Sequence, residues 1–371
     1  MRITIVCDVL GQANNGTALA AYNLINFLKS KGHNITVVAP EADSREGFVS
    51  VPTLNLGKFL NGVLKKNGVS LAKPDKKILE NAIKNADVVH LLLPFLLSAK
   101  AVKIAEKYNK PITASFHCQA ENFTAHLGMM DFKLLNHLTY KTFYNCTYKY
   151  CNAIHYPTQF IKEVFEKNTQ TTNGFVISNG VNDSFVPPEC PPNNKKFTIV
   201  CSGRYSREKA QQQLIYAVAD SKYKNSIKVV FAGDGPRKRY LMRMAERKGI
   251  DCDFKFFSRP QMVTLLQNAD LYVHTAVVEI EAIACMEAIC CGLVPVICDS
   301  PRSATRFFAV DEKSLFELYN TEQLTKKIEY WIENPDKKKE YSKKYEHMRS
   351  NFSQTECMQK MENMLRKAAG V

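Results

Sequence analysis

A short apolar strand, a polar turn and an amphipathic helix follow one another in the first thirty residues of this chain, and the same order begins again near residue 197. In the first instance Ile3-Thr4-Ile5-Val6-Cys7 reads as a buried strand. Ala18, Leu19, Ala21, Leu24, Ile25 and Leu28 then recur at helical spacing, Lys31-Gly32-His33 ends the helix, and Ile35-Thr36-Val37-Val38 is a second strand. Strands alternating with helices predict a parallel sheet covered on both faces, and residues 88–93 and 112–116 continue it. The second instance predicts strands at 197–201, 227–232 and 271–274 and helices at 210–219 and 240–248. Between the two stand Pro187, Pro188, Pro191 and Pro192, a stiff extended segment that neither a helix nor a central strand accepts. The reading is therefore α/β, with a first domain at 1–190, a second at 191–350, and a last helix at 351–371 returning to the first.

Composition narrows the class. Hydrophobic residues at 45% and charged residues at 23% suit a folded globular chain and exclude a disordered one. The longest apolar stretch, 88–99, is far short of the roughly 20 residues a membrane-spanning helix needs. Asp8 arrives too early for a signal peptide. None of the twelve cysteines forms a C-x-x-C pair, which argues against a zinc ribbon and for buried thiols in a reducing cytosol. The formal charge of +14 points to anionic partners: polyanions, acidic membrane surfaces or phosphorylated substrates.

Several turns bear on chemistry. The turn at 11–16 ends in Gly16 and opens a helix, where backbone N–H groups favour an anion; it lacks the G-x-G-x-x-G of a dinucleotide site, and alone it is an ordinary turn. After the first strand of the second domain come Gly203, Arg204 and Lys209, two cations at a strand's carboxyl end that suit a diphosphate or, equally, a solvated basic loop. Gly233-Asp234-Gly235-Pro236 ends the next strand, where a ligand's ring would reach the backbone or a plain turn would form. The segment from Glu279 to Val296 reads as a helix interrupted by Glu279, Glu281 and Glu287. Such acids need partners when buried. Glu279 and Glu287 would stand about 12 Å apart along that helix, one suited to a sugar's hydroxyls and the other to a ribose, or, equally, both would be capping acids of a half-buried helix.

In order and spacing these features resemble the retaining glycosyltransferases of GT-B fold, family 4. The resemblance runs through Gly16, Phe116-His117, Asn179-Gly180-Val181, Gly203-Arg204 with Lys209, Gly233-Asp234-Gly235-Pro236, and the E-x7-E pair Glu279 and Glu287 followed by Gly292 and Pro295-Val296. It implies two Rossmann-like doubly wound domains facing each other across a cleft. It also implies that Arg204 and Lys209 hold a nucleotide sugar's diphosphate, with Gly203, Gly233 and Gly235 at the donor. Glu287 would take the ribose, Glu279 the transferred sugar, and His117 a place beside the reacting carbon. Gly16 would admit the donor close to the backbone, no metal would be required, and UDP-glucose is the expected donor. Three departures stand out: Ala210 where glycine is common after the lysine, Glu281-Ala282 in place of the usual Phe-Gly, and a stretch at 299–305 without the usual glycines.

For the acceptor, eleven lysines against four acids lie between Gly57 and Lys110. Within them Phe59, Leu60, Val63 and Leu64 lie at helical spacing beside Lys58, Lys65 and Lys66, in the manner of a helix lying on an anionic bilayer, or of a solvated lysine-rich face. The aromatic stretch 126–150 suits either a lipid's chains or a core helix, and 117–122 resembles bacterial enzymes that glucosylate diacylglycerol. The expectation is a cytoplasmic enzyme peripheral to the inner membrane face, acting on diacylglycerol or a related lipid. A capsular or surface glycan and a small soluble acceptor are the alternatives within the class. A non-catalytic polyanion-binding protein is the alternative outside it, although no nucleic-acid motif appears and nucleic acid is not an expected partner.

Overall fold

The computed structural model describes residues 1–10, 16–40, 46–55, 57, 71–125, 129–190 and 194–371. It divides into two compact units, one of Met1–Asn179 with Thr355–Val371 and one of Gly180–Gln354. The division falls before the proline run. Pro187 and Pro188 belong to the second unit, where Pro187 lies close beside Gly292.

Among the described residues the first unit holds seven parallel strands: β1 (Arg2–Val6), β2 (Asn34–Pro40), β3 (Phe48–Val51), β4 (Val88–Leu91), β5 (Ile112–Ser115), β6 (Ala153–Tyr156) and β7 (Gly174–Val176). They lie in the order β3-β2-β1-β4-β5-β6-β7. The second unit holds six more in the order β10-β9-β8-β11-β12-β13. These are β8 (Phe197–Ser202), β9 (Ile227–Ala232), β10 (Cys252–Lys255), β11 (Leu271–His274), β12 (Pro295–Asp299) and β13 (Leu315–Glu317), again all parallel. Each order reverses beside its first strand, between β1 and β4 and between β8 and β11. Open α/β sheets bind ligands beyond the carboxyl ends of the strands at such a point. Both units are therefore doubly wound, Rossmann-like sheets.

Local chemistry sets the helices in place. The helix Leu96–Lys107 has no cap of its own; Asp8, just after β1, accepts from the N–H groups of Leu97 at 2.6 Å and Ser98 at 3.2 Å and from the Ser98 hydroxyl at 2.6 Å. Burial pushes the Asp8 carboxyl up to about 6 against these bonds. The C-terminal helix Gln354–Ala369 gives Cys357, Met358, Met361, Met364 and Leu365 to the core of the first unit. Its buried Glu362 pairs with His33 at 2.9 Å and with Arg366 at 2.8 Å. At the edge of the second unit, Val181 N donates to Phe352 O at 2.7 Å and Gln354 N donates to Val181 O at 3.1 Å. Gly180 there has φ +75, and a side chain on it would stand 2.6 Å from the Gln354 Cα. Only glycine fits.

Candidate functional site

In the first unit, β5 ends at Ser115 and the chain then turns through Phe116 and His117. Phe116 is fully buried and its ring meets those of Tyr140, Tyr148, Tyr156 and Phe165 at centroid distances of 4.8–6.5 Å. That anchor leaves His117 half-buried, its ring edge-on to His155 at 5.8 Å. Beneath it a chain of neutral groups crosses the sheet. His155 Nε2 donates to Ile177 O at 2.6 Å, so its Nδ1 accepts from Ser115 Oγ at 2.9 Å. Ser115 Oγ in turn accepts from His90 Nε2 at 3.0 Å, and His90 Nδ1 accepts from Thr113 Oγ1 at 2.9 Å. Burial lowers His90 to about 3 and His155 to about 4, and burial likewise holds His117 well below the imidazole range. All three are neutral at pH 7. Gly16 is exposed and opens the helix Gly16–Ser30; a Cβ there would meet nothing within 4 Å, so no contact of the described protein requires glycine.

The expected membrane residues Phe59, Leu60, Lys65 and Lys66 lie outside the described residues. The aromatic stretch after them is split. Tyr140, Phe143 and Tyr148 are core, whereas Phe132, Leu134 and Leu138 are 55%, 60% and 51% exposed, with Lys133 and Lys141 exposed beside them.

In the second unit, the turns after β8 and β9 lock together. Gly203 N donates to Ala232 O at 3.0 Å and Tyr205 N to Asp234 O at 2.9 Å. A side chain on Gly233 would overlap the Gly203 carbonyl, and one on Gly235 would come within 2.6 Å of the Tyr205 backbone. These glycines thus fit two turns against one another, whatever a ligand demands. The Arg204 carbonyl accepts from Gln211 Nε2 at 2.8 Å, which ties down the same loop.

The acids require a correction. They do not share one helix: the helix runs only Ile283–Cys290, and Ala282 before it is left-handed at φ 64. Glu279 instead sits in an extended loop bridged to the chain after β12, with Ala304 N donating to Glu279 O at 2.9 Å. Glu281 is buried just before the helix, and only Glu287 is helical. Glu279 forms an ion pair with Lys209 and stands 3.3 Å from His274 Nε2. Burial alone would raise its carboxyl, but the Lys209 charge and His274 hold it down at about 2. Burial keeps His274 below its usual range, so Lys209 supplies the attraction. Behind His274, Tyr272 Oη lies 3.4 Å from Nδ1 and 3.0 Å from Ser202 Oγ.

Glu287 is buried on the core side of its helix and pairs with Arg259, whose guanidinium also lies over the Phe185 ring at 5.1 Å. Burial raises the Glu287 carboxyl and Arg259 pulls it part of the way back. Arg259 opens the helix Arg259–Gln267, fixed where Ser258 N donates to Gln261 Oε1 at 2.9 Å. The structure thus gathers Gly203, Lys209 and Glu279 at the β8/β11 reversal and places Glu287 with Arg259. Arg259 and His274 are absent from the sequence reading. A histidine closing the otherwise apolar strand β11, at the ligand-binding end of such a sheet, was the available signal.

The comparisons with known proteins follow this division. Residues 14–185 match the family described as Glycosyltransferase Family 4, and residues 182–348 match Glycosyl transferases group 1. Together they take in both units. The chain belongs to the family 4 glycosyltransferases of GT-B fold. A GDP-mannose-dependent α-mannosyltransferase of Corynebacterium glutamicum is 25% identical over 332 residues, 84% of this chain and 75% of that one. A phosphatidyl-myo-inositol mannosyltransferase of Propionibacterium freudenreichii is 30% identical over 138 residues, 34% of this chain and 35% of that one. Among solved structures, Anabaena HepE in complex with UDP-glucose superposes with a TM-score of 0.75 at 15% identity, covering 99% of this glycosyltransferase and 100% of that chain. No helix among the described residues of the glycosyltransferase is long and apolar enough to cross a membrane.

Proposed function

We propose that this glycosyltransferase moves a hexose from a nucleoside diphosphate sugar, UDP-glucose in the first instance, to a lipid such as diacylglycerol at an anionic membrane surface, with retention of configuration. The observation that carries the donor reading is the Lys209–Glu279 pair at the β8/β11 reversal: a cation for the diphosphate beside an acid for the sugar. Arg204 and Lys209 take up the charge that develops on the leaving diphosphate, so the reading needs no metal. Glu287 accepts from the ribose, and His117, neutral and half-buried, meets the transferred sugar. The acceptor's hydroxyl oxygen attacks the sugar's C1 on the face the diphosphate leaves. The C1–O bond to phosphate breaks, and the departing phosphate oxygen takes the hydroxyl proton, so no protein nucleophile is assigned.

Exposed Phe132, Leu134 and Leu138 beside Lys133 and Lys141 support the membrane reading, as does the lipid named for the P. freudenreichii relative. The C. glutamicum relative favours GDP-mannose as a second donor. Nucleotide release from each donor, with and without anionic liposomes containing diacylglycerol, tests the reading. Release from UDP-glucose that requires diacylglycerol and yields a glycolipid is expected. Release indifferent to lipid would move the acceptor to a soluble or lipid-linked glycan, and release from GDP-mannose alone would change the donor.

A further inference from the structure

Lys209 and Glu279 are each assigned to the donor on the reading above, yet each is engaged with the other in the structure. Both are largely buried, with side-chain exposures of 22% and 14%. A diphosphate that takes Lys209 therefore leaves a buried carboxylate without its cation, an arrangement that proteins do not tolerate unless another partner stands ready. One does. His274 is 3% exposed, and its Nε2 lies 3.3 Å from Glu279 Oε1 without a well-formed hydrogen bond to any of the described residues. Catalytic hydrogen bonds that are long or misaligned in a free enzyme tighten in its complexes.

We propose that donor binding exchanges Glu279's partner: the diphosphate draws Lys209 away, and His274 becomes the positioning residue that holds Glu279 toward the sugar. The groups facing His274 suit this exchange. Lys209 comes from the loop after β8, Glu279 from the loop after β11, and Tyr272 from its own strand. Burial holds His274 below its usual range; Glu279 works against that, and the Lys209 charge adds a smaller lowering that is removed when Lys209 leaves. Once Lys209 turns to the diphosphate, His274 takes a proton from solvent. Nε2–H then points at Glu279, while Nδ1–H is accepted by Tyr272 Oη, whose own hydrogen goes to Ser202 Oγ 3.0 Å away. The side chain needs no new place in the fold, because the hydroxyl pair behind it serves as donor or acceptor alike. This inference rests on the donor reading above and adds the residue that makes the two donor roles compatible.

The test is titration of UDP, and in parallel GDP, into the whole protein and its variants by calorimetry. In His274→Leu, binding of the nucleotide weakens by about tenfold or more, and in a Glu279→Gln background the same change has little effect, since no carboxylate then needs a partner. His274→Gln keeps an N–H donor and binds within about threefold of the parent. Buffers of different ionisation enthalpy report proton uptake on binding that grows as pH falls from about 8 to about 6, and His274→Gln loses it. Purely structural damage would not reproduce that difference. Unchanged affinity in His274→Leu, or an equal loss in both backgrounds, overturns the exchange. Failure of both nucleotides to bind the parent protein overturns the donor reading and the exchange with it. Binding that is intact together with sugar transfer that ignores Glu279→Gln removes Glu279's role and leaves the nucleotide site standing.

Discussion

Both units bury chains of polar groups, and what those chains lead to differs, although the first unit also buries charges of its own in Asp8 at a helix start and in Glu362 with His33 and Arg366. In the first, Thr113, His90, Ser115 and His155 satisfy one another and end at a backbone carbonyl, with no charged side chain in the chain of bonds. In the second, Ser202, Tyr272 and His274 lead to Glu279 and Lys209, and a second ion pair joins the buried Glu287 of the helix Ile283–Cys290 to the half-exposed Arg259 of the helix Arg259–Gln267. A buried neutral chain is rigid and indifferent to charge. Buried ion pairs hold charges in readiness for a charged ligand, at a desolvation cost that only good geometry offsets. On the reading proposed above, the diphosphate belongs with the charged chain of the second unit, and the neutral histidines of the first face uncharged hydroxyl groups.

Removing the cation breaks that contrast most directly. Lys209→Ala deprives the leaving group of its partner, and turnover measured by nucleotide release should fall by about a thousandfold. A rate within a few-fold of the parent would show that the second unit's charge is ornamental. Acid should act next. Glu279 titrates at about 2 when folded, below its ordinary 4.5, so its stabilisation is present above about 4.5 and is lost as pH falls toward 2. It amounts to about 3 kcal/mol. Denaturant unfolding across that window should slope for the parent and slope less steeply in Glu279→Gln, the remainder coming from Glu340, Glu362 and Asp87, which also sit below their ordinary range. The first unit gives a smaller effect of another kind. His117→Ala should lower turnover about ten- to a hundredfold while leaving affinity for the bare nucleotide unchanged; weakened nucleotide binding would place charge recognition in both units.

The smallest effect concerns backbone. Ala210 and Ala282 adopt φ 48 and φ 64, next to Lys209 and shortly after Glu279. Left-handed backbone strains alanine. Glycine at either position should stabilise the second unit by about 0.5–1 kcal/mol, read as a higher denaturation midpoint, because the relief exceeds glycine's entropic cost.

These two alanines also mark what the sequence makes legible. They stand where the family resemblance leads one to expect glycine, and the backbone has kept the glycine conformation without the residue. Strands such as Ile227–Ala232 and Leu271–His274 were readable to the residue, since buried parallel strands are mostly apolar runs, interrupted here only by Lys228 and the closing His274. The helix through Glu279 was not. Its apolar period continues smoothly across Ala282, and nothing in the period announces a left-handed residue. Arg259 was hidden for a different reason: it stands 28 residues from Glu287, and only the fold brings the two together. The unit boundary was displaced toward the prolines because proline signals a stiff segment, while the change of unit occurs at Gly180, whose requirement comes from Gln354 far along the chain.

The first unit is completed by the last seventeen residues of the chain, Thr355–Val371. On a ribosome the whole of Gly180–Gln354 is therefore made between the two parts of that unit, which at ordinary rates of synthesis takes on the order of ten to thirty-five seconds. Throughout that interval the surface awaiting Met358, Met361 and Leu365 is open, and His33 lacks Glu362. The second unit can finish folding while the first still waits, so a nascent chain is most exposed to aggregation and to chaperones at its oldest end.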